Sequence, residues 1–526
     1  MPEIQTVIGG FKGLDETLSS FDEASQRLKG KHESYTRSMN NVTAIYGKII
    51  GRRGLEKLFG LTTQATGQPI GLAQFDMEDD TQWILEVTTT NVYTVQASGL
   101  TDITGVALTG NADSVLSWDV IDDNFVFTNG IDPVRKWPGT GNTADIGGTP
   151  PDTARLVKNF EDFLFLGDVT VTGTRFPSRI RYSDDWDATW DSADEINLVE
   201  THLGIKAWDT IGRTLYVYKG DGIVAIRFIG GPARFSQHRV PFALGIQAPM
   251  SLVNIPQLGH IFLASDFNLY LNANGAVNKL PSNLRETLHT TMSPGWAQFA
   301  VGAAIPEDDL YVLFFSAGGS WADKKLLFNY RSGEWSLHSY PNHRIIRAAG
   351  VRLTGGDTWA TDGQLWSADS TTWIDEVTSI SHSLITAMDD RRVYRMDTGV
   401  LDDTFVVDRT YFSDWQKFGY NGVKTLNGVD LWFKRASGAK VAISVARDYL
   451  DDFAQRRIYP LDGDRPDEGD VLIQHRFMPI MGNKFNFKFE YIHERDGFEA
   501  EMKEMVPLWT PQGGQEQRAA RTNVTN

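Results

Sequence analysis

The 526-residue sequence contains no cysteine. Disulfide-stapled scaffolds, thiolate catalysis and zinc ribbons are therefore excluded. No run of apolar residues approaches the roughly 18 that a membrane-spanning helix needs, so we expect no membrane span. Basic residues are also in deficit: 50 Lys and Arg stand against 67 Asp and Glu, which gives a formal net charge of -17. This balance argues against a protein that grips nucleic acid or a membrane through a general basic surface.

The residues that are present are sufficient for large packed cores. Hydrophobic residues make up 41% of the chain and aromatic residues 11%, which excludes a mainly disordered protein. At about 150 residues per domain, the length predicts three or four domains, or one large all-β architecture with additions.

Seven apolar hairpins recur along the middle of the sequence. Each consists of an apolar strand, a tip of Gly, Asp, Asn or Thr, and a second apolar strand. They begin at residues 83, 125, 163, 215, 261, 310 and 359, at a mean interval of 46 residues. This interval is typical of propeller blades. We therefore predict an all-β protein with a β-propeller of six or seven blades. The alternative is a set of unrelated hairpins in a generic sandwich.

The segments on either side of the repeats have different patterns. Ser20 and Glu23 form an S-x-x-E capping box, and apolar residues at helical spacing continue to Gly30, which predicts one short helix. Beyond residue 399, long stretches alternate apolar and polar residues, as in a β-sandwich. The predicted domains are an N-terminal arm with a short helix and a strand (1–60), the β-propeller (61–398), a β-sandwich-like platform domain (399–510) and a flexible tail (511–526).

The densest group of carboxylates lies in SDDWDATWDSADE, residues 183–195. Two carboxyl groups at a suitable distance could serve as the acid and the nucleophile or base of a glycosidase. However, Ser183, Asp185, Thr189 and Trp190 match S-x-D-x-G-x-T-W, the Asp-box hairpin of some propellers, with Asp187 in place of the glycine. We therefore predict a structural turn in which the aspartate accepts backbone N–H groups and the tryptophan packs between blades.

No other pattern predicts catalysis. The loop DGDRPDEGD at 462–470 could hold calcium through oxygen ligands, but it lacks the EF-hand order, and a solvated acidic loop is the alternative. The sequence has no H-E-x-x-H, Walker A or G-x-S-x-G motif. Tryptophans spread through the repeats could stack on sugars, although packing between blades is their commoner role. We predict no catalytic residue, no cofactor and no metal site.

Several stretches of the sequence resemble the tail hub or nozzle proteins of short-tailed bacteriophages, including those described as packaged-DNA stabilisation proteins. The opening, GGFKGLDETLSSFDEASQRLKG and then NNVTAIYGKIIGRRGLEKL, is similar to the family's Gly-rich loop, Asn-Val segment and strand leading into an Arg-rich turn. WDVIDDNFVFTNGIDPVRKWPG, FPSRIRYSDDWDATWD and VPFALGIQAPMSLVNIPQLGHIFLASDFNLYL resemble its blade strands. The likeness runs from about residue 9 to residue 510 and includes no catalytic motif.

The resemblance implies a structural, non-enzymatic virion protein of the short tail, made in the bacterial host cytoplasm. Six copies would form a ring that continues the channel of the portal and its adaptor, the head-to-tail connector protein. The ring would retain packaged DNA and conduct it during ejection, and tail fibre or tail tip proteins would be further partners. An acidic ring suits a conduit, because it repels double-stranded viral DNA and lets it pass without sequence-specific contacts.

For such a conduit, loops rich in Gly, Pro and Asp are candidates for the channel or its gate, with an outer surface loop as the alternative for each. Arg52 and Arg53 are candidates for docking to the adaptor, because basic side chains can pair with a partner's carboxylates; a solvated turn is the alternative. The candidate loop residues are Asp145, Gly147, Gly148, Pro150 and Pro151, then Gly318 and Gly319, then Asp462, Asp464, Asp467, Glu468 and Asp470.

Two other functions stay open at this point. One is a receptor- or glycan-binding propeller of a phage tail, in which exposed Trp and Asp side chains recognise sugars. The other, with less support, is a propeller glycoside hydrolase that uses Asp184, Asp185 or a distant acid.

Overall fold

A computed structural model describes most of the chain, and the predicted N-terminal helix lies outside the described residues. Apart from four short 3-10 turns (Leu58–Gly60, Pro249–Ser251, Ala297–Phe299 and Pro306–Asp308) and a π turn at Thr287–Thr291, the regular structure described is all β. The described residues are 3–9, 11–14, 34–36, 39–231, 234–280, 284, 287–355, 379–413, 415–418, 420, 422–434, 438–450, 452–461, 470–493 and 501–512.

The first sixty residues contribute strands to four different sheets. β3 and β4 extend one blade of the propeller, β8 belongs to another blade, and the other strands enter the two sheets of a sandwich. The described strands of the predicted N-terminal arm (1–60) thus belong to sheets that also contain strands from later in the chain. The strands are β1 (Ile4–Gln5), β2 (Ile8–Gly9), β3 (Phe11–Leu14), β4 (Ser34–Thr36), β5 (Met39–Asn40), β6 (Val42–Ile45), β7 (Lys48–Gly51) and β8 (Leu55–Lys57).

Five consecutive four-stranded antiparallel sheets form blades 1 to 5. Blade 1 contains β9 (Pro69–Asp76), β10 (Gln82–Thr88), β11 (Val92–Gln96) and β12 (Gly99–Asp102). Blade 2 contains β13 (Ser117–Ile121), β14 (Asn124–Thr128), β15 (Arg135–Trp137) and β16 (Ala144–Asp145). Blade 3 contains β17 (Thr153–Phe160), β18 (Phe163–Val171), β19 (Thr174–Ser183) and β20 (Glu195–Asn197). Blade 4 contains β21 (Ile205–Ile211), β22 (Thr214–Lys219), β23 (Ile223–Phe228) and β24 (Phe235–Arg239). Blade 5 contains β25 (Val253–Ile255), β26 (Gly259–Leu263), β27 (Leu269–Ala273) and β28 (Ala276–Lys279).

Blades 6 and 7 include strands from the beginning of the chain. Blade 6 contains β29 (Val301–Ile305), β30 (Leu310–Phe315), β31 (Lys324–Asn329) and β32 (Trp335–Ser339), to which β3 and β4 add. Blade 7 contains β33 (Ile345–Gly355), β34 (Ser379–Met388) and β35 (Val393–Met396), with β8 as its fourth strand, followed by β36 (Leu401–Asp402) and β37 (Phe405–Val406). The hairpin predicted at 359–369 lies outside the described residues.

The seven blades form a closed ring. The first strands of neighbouring blades lie against one another all the way round, ending with β33 beside β9, so these strands are the innermost ones. Ring closure depends on β8, which precedes blade 1 in the chain but pairs antiparallel with β35 of blade 7, Leu55 opposite Met396. Apolar clusters fill the spaces between blades. This is why strands such as β30 are apolar on both faces.

The C-terminal strands form a two-sheet sandwich with the remaining N-terminal ones. One sheet has the order β42-β39-β44-β7-β6, with β1 and β2 also paired to β44, and the other has the order β41-β40-β43-β38-β5. Val429, Leu431 and Phe433 of one sheet and Phe487 and Phe489 of the other are buried in a common core. The strands are β38 (Thr410–Phe412), β39 (Lys424–Lys434), β40 (Ala439–Arg447), β41 (Ala454–Pro460), β42 (Asp470–Gly482), β43 (Phe485–His493) and β44 (Glu501–Pro511).

The sandwich is attached to the outer edge of blade 6. The Glu334 carboxylate accepts the N–H groups of Tyr46 (2.7 Å) and Gly47 (2.9 Å), and Ser336 Oγ accepts the N–H of Ala44 (2.8 Å). The predicted fold class, all-β with a propeller of six or seven blades and an added sandwich, is confirmed, and the number of blades is seven.

Candidate functional site

The carboxylate cluster lies in the turn between β19 and β20 of blade 3, and hydrogen bonds between residues of this turn fix its conformation. Ser183 Oγ donates to the carbonyl of Thr189 (2.6 Å) and accepts the N–H of Asp185 (3.1 Å). The carbonyl of Asp185 accepts the N–H groups of Ala188 (3.0 Å) and Thr189 (2.8 Å). The Asp185 carboxylate accepts the Thr189 hydroxyl (3.1 Å). In this turn the main-chain oxygen of Asp185, and not its carboxylate, therefore takes the backbone donors.

Two tryptophans of this turn are buried between blades 2 and 3. Trp186 and Trp190 are 5% and 6% exposed and belong to the apolar cluster that both blades share. The indole N–H of Trp190 donates to the carbonyl of Trp186 (2.9 Å), and that of Trp186 donates to Asp122 of blade 2 (2.7 Å). Both indole donors are thus satisfied, as buried polar groups require. The turn joins two blades.

We expect Trp190→Ala to lower the free energy of unfolding by about 3–5 kcal/mol, the usual cost of removing a buried large aromatic side chain. The matched variant Trp190→Phe keeps most of the apolar contact and loses one hydrogen bond, so we expect a loss of about 1–2 kcal/mol. Urea unfolding followed by circular dichroism measures both. Equal, small effects of the two substitutions would contradict the buried position of this ring.

Asp187, which replaces the glycine of the Asp-box pattern, connects this turn to the linker between blades 2 and 3. Its carboxylate accepts the N–H of Gly147 (2.7 Å) and forms an ion pair with Lys136. Although partial burial opposes ionisation, these two contacts hold the pKa of Asp187 below its ordinary value. A Cβ at Gly147 would lie 1.9 Å from the carbonyl oxygen of Asp187, so only glycine fits there.

The first candidate gate loop, 145–153, is therefore held between blades 2 and 3. Asp145 is exposed and lies 3.5 Å from Arg135. Gly148 has a φ of +75°, and a Cβ there would lie 2.7 Å from the carbonyl oxygen of Ala188. Pro150 is half-buried and Pro151 is buried. These contacts leave little freedom for a moving gate.

The second candidate loop lies between β30 and β31, on a blade that does not adjoin blades 2 and 3. Gly318 is exposed, and Gly319 is half-buried. Ser316 Oγ donates to the carbonyl of Gly319 (2.7 Å) and accepts its N–H (3.0 Å). Of the third candidate loop, Asp462, Asp464, Asp467 and Glu468 lie outside the described residues, and Asp470 begins β42. The structure therefore does not bring the described candidates together into one site.

Arg52, predicted to dock to an adaptor, is buried and already paired. Its guanidinium donates to both carboxylate oxygens of Asp402 (2.8 and 2.6 Å) and to Asn41 (3.2 Å), and it stacks 4.2 Å above the ring of Tyr340. The Arg52 side chain is 0% exposed. The prediction for Arg52 is wrong, because a partner's carboxylate cannot reach this group. Arg53 is half-buried, and its role in docking stays a prediction.

A charged cluster on the innermost strands was not found from the sequence. Lys158 of β17 reaches Asp119 of β13 (3.1 Å) and Asp209 of β21 (2.9 Å), and so ties together blades 2, 3 and 4. Although burial opposes it, these two carboxylates raise the pKa of Lys158 above its ordinary value. Each of the three residues is third from the end of its strand. Aligning the repeats on the turn after the first strand would have revealed the cluster.

The turns that follow the first strands carry much of the negative charge. All first strands run the same way, so these turns lie at one end of the ring, which we call the acidic face. Adjacent turns touch: Glu78 N–H donates to Asp123 (3.0 Å), and Arg213, the one basic residue in the described turns of this set, pairs with Glu161 (2.8 Å). The acidic residues of this face are Asp76, Glu78, Asp79, Asp80, Asp122, Asp123, Glu161, Asp162, Glu307, Asp308 and Asp309.

The described tryptophans that were considered for sugar stacking belong to the cores between blades. Trp137 and Trp208 are 2% and 7% exposed. Trp83 and Trp118 are half-buried and pack against the cluster shared by blades 1 and 2. Within the described part of the chain, no three His, Asp or Glu side chains are grouped so that they could hold a metal ion. None of the helices described there has the length and apolar character to cross a membrane.

No protein-family model matches the sequence, and no curated protein matches it. Among solved structures, the chain is similar to the WD40 domain of Pan2 from Neurospora crassa, with 10% identity and a TM-score of 0.38 over 67% of this chain and 97% of that one. It is similar to the N-terminal domain of Nup159, with 10% identity and a TM-score of 0.37 over 66% and 94%. It is also similar to apo AztD from Citrobacter koseri, with 12% identity and a TM-score of 0.33 over 60% and 87%.

Proposed function

We propose that this chain is a structural, non-enzymatic protein of a short bacteriophage tail. In this proposal six copies form a nozzle or hub ring that continues the channel of the portal and its connector protein. The ring retains packaged DNA before ejection and conducts it afterwards, and tail fibre or tail tip proteins attach to it. The proposal starts from the sequence resemblance over most of the chain and depends on where the structure puts its charges.

The observation that carries the proposal is the acidic face. Its described turns after the first strands hold ten carboxylates against Arg213, and Asp76 at the end of β9 adds an eleventh. Arg331, in the turn between β31 and β32, also lies at this end and pairs with Asp309 (3.3 Å). A surface of this kind repels the phosphates of double-stranded DNA, and repulsion keeps a passing duplex from adhering to a wall. A protein that gripped DNA would need the opposite charge in the same place. In a conduit whose acidic faces are turned toward the channel, this charge would repel the DNA that passes through it.

The way the two ends of the chain are joined gives the proposal a mechanical basis. β8 closes the propeller, and β1, β2, β5, β6 and β7 complete a sandwich whose other strands come from the C-terminal region. The N- and C-terminal parts are thus in one sandwich that packs on blade 6. In such a subunit, mechanical force passes through paired strands and not through a flexible linker. A channel that retains packaged DNA under pressure needs this property.

Electron microscopy of virus-like particles tests the function. The particles would carry this chain with a tag at Asn526 that binds a gold label, and particles with the untagged chain are the control. We expect six labels around the axis of a short tail, with a central channel. Labels confined to peripheral fibres, or particles without the chain, would contradict the proposal.

A further inference from the structure

Blade 1 and the first half of blade 2 contain no basic residue. Lys57 is followed by 77 residues, 58–134, without lysine, arginine or histidine, and the next basic residue is Arg135. The whole chain has 50 Lys and Arg in 526 residues, so a stretch of this length would be expected to hold about seven. All 77 residues are described, and they comprise β9 to β14 with the segments that connect them. We call residues 58–134 the cation-free sector.

Acidic residues occur in the cation-free sector in ordinary number. It contains eleven Asp and Glu, where the composition of the whole chain would give about ten. A surface that recruits a basic partner would be expected to gain carboxylates, whereas this one lacks cations without gaining anions. The pattern therefore indicates a surface that must not attract an anion. Seven of the eleven carboxylates are exposed: those of Asp76, Glu78, Asp79, Asp80, Asp102, Asp113 and Asp122.

Neutral donors take the place of basic side chains around these carboxylates. Asp102 accepts the side-chain amide of Asn91 (2.8 Å) and the N–H of Thr104 (2.9 Å). Although partial burial opposes ionisation, the hydrogen bonds from Thr104 and Asn91 hold the pKa of Asp102 below its ordinary value. Among the described residues, Asp119 is the one acid of the eleven that forms an ion pair, with Lys158 of the next blade. The sector thus keeps carboxylates ionised without a cation of its own.

The cation-free sector lies away from the sandwich and extends over both ends of the ring. The sandwich packs on blade 6, and in the closed ring blade 1 is two places and blade 2 three places from that blade. Exposed carboxylates of the sector occur on the acidic face at Glu78, on the outermost strand β12 at Asp102, and in the linker at the other end of the ring at Asp113. A long anion can therefore pass along the whole depth of blade 1 without meeting a basic side chain of that blade.

We propose that the cation-free sector is the part of each subunit that faces the DNA in the channel. This inference rests on the proposed function and adds to it which blades line the channel. Each phosphate that a lysine or arginine neutralises releases counterions and so adds affinity. In a ring of six copies, even one exposed basic side chain per copy would contribute six such contacts, so a wall along which DNA slides has to exclude them. The sandwich on blade 6 then faces away from the channel.

Photocross-linking in DNA-filled virus-like particles tests this inference, and the lack of cysteine in the chain makes the labelling specific. Ala97→Cys places a thiol in the turn between β11 and β12, inside the sector. The matched variant Ala273→Cys places one at the end of β27, beside the equivalent turn of blade 5, three places away in the ring. Both alanines are exposed. Each thiol carries benzophenone maleimide and is irradiated while the DNA leaves the particle. We expect several-fold more DNA-linked chain with Ala97→Cys than with Ala273→Cys.

Two results would overturn the inference. One is DNA cross-linking that is equal for the two variants or stronger for Ala273→Cys. The other is a label at residue 97 that reacts with protein and not with DNA, because the sector would then be a docking surface for a partner. In both cases, particles with six gold labels around the tail axis would leave the proposed function standing. Particles without the chain would overturn the proposed function and this inference together.

Discussion

Replacing Arg52 by leucine is expected to lower the free energy of unfolding by about 3–5 kcal/mol, because Asp402 then stays buried without its counter-charge. The pair is bidentate, at 2.8 and 2.6 Å, and the two side chains are 0% and 6% exposed. It connects the segment before β8 to β36, the strand that continues blade 7. The substitution therefore weakens the place where the sandwich, the ring closure and the last blade meet.

Thermal unfolding followed by tryptophan fluorescence measures the effect. Arg213→Leu is the matched control, since it removes an arginine from a pair with Glu161 whose arginine side chain is 80% exposed, and we expect no measurable shift. The double variant Arg52→Leu with Asp402→Leu is expected to recover much of the loss, because no charge is left buried alone. A single variant that unfolds like the control, or a double variant that is worse than the single one, would contradict this account.

The blades could be predicted because their signals are local. A hairpin such as 215–228 carries both apolar strands and its turn in fourteen consecutive residues, so the pattern of residues alone indicates the pairing. Ring closure could not be predicted in this way. β8 is three residues long and pairs with β35, far along the chain, and nothing in Leu55, Glu56 and Lys57 indicates which distant strand they join.

The difference between local and distant contacts also explains which candidate residues had their surroundings predicted correctly and which did not. The hydrogen bonds of the turn around Ser183 and Asp185 lie within a few residues, so a local pattern specified the turn. The environment of Arg52 depends on Asp402 and Tyr340, which are hundreds of residues away. An arginine beside glycine looks the same in the sequence whether it is solvated or buried. Lys158 was missed because its two partners lie on other blades.

A second large effect is expected at Glu86 of β10, a carboxyl buried where the ring closes. It is 1% exposed, and its Oε1 has no hydrogen-bond partner in the described part of the structure. It lines a cavity of about 10 Å³ between blades 7 and 1, room for about one water molecule. Arg392 also lines the cavity, but its guanidinium is bound to Asp390 (2.9 Å) and to the carbonyl of Thr62 (2.8 Å). Burial, and then the nearby Asp390 carboxylate, raise the pKa of Glu86 from 4.5 to about 8.

This shift makes stability fall as the pH rises. Between pH 4.5 and pH 8 the unfolded chain releases the Glu86 proton while the folded chain retains it, so each pH unit in this window costs the folded state about 1.4 kcal/mol. Glutamine does not titrate. We therefore expect Glu86→Gln to have almost no effect near pH 4.5 and to stabilise the protein progressively above it, by roughly 3–5 kcal/mol at pH 8.

Thermal unfolding of both proteins at half-unit steps from pH 4.5 to pH 8.5 measures the difference, and Glu78→Gln is the matched control. Glu78 lies in the exposed turn that leads into the same strand, so its substitution should give a difference that does not grow with pH. An equal difference at all pH values for Glu86→Gln would mean that the carboxyl is ionised or hydrogen-bonded in the folded state. A growing difference would show that the Glu86 carboxyl, buried between blades 7 and 1, keeps its proton in the folded state at neutral pH, and that alkaline conditions therefore lower the stability of the propeller.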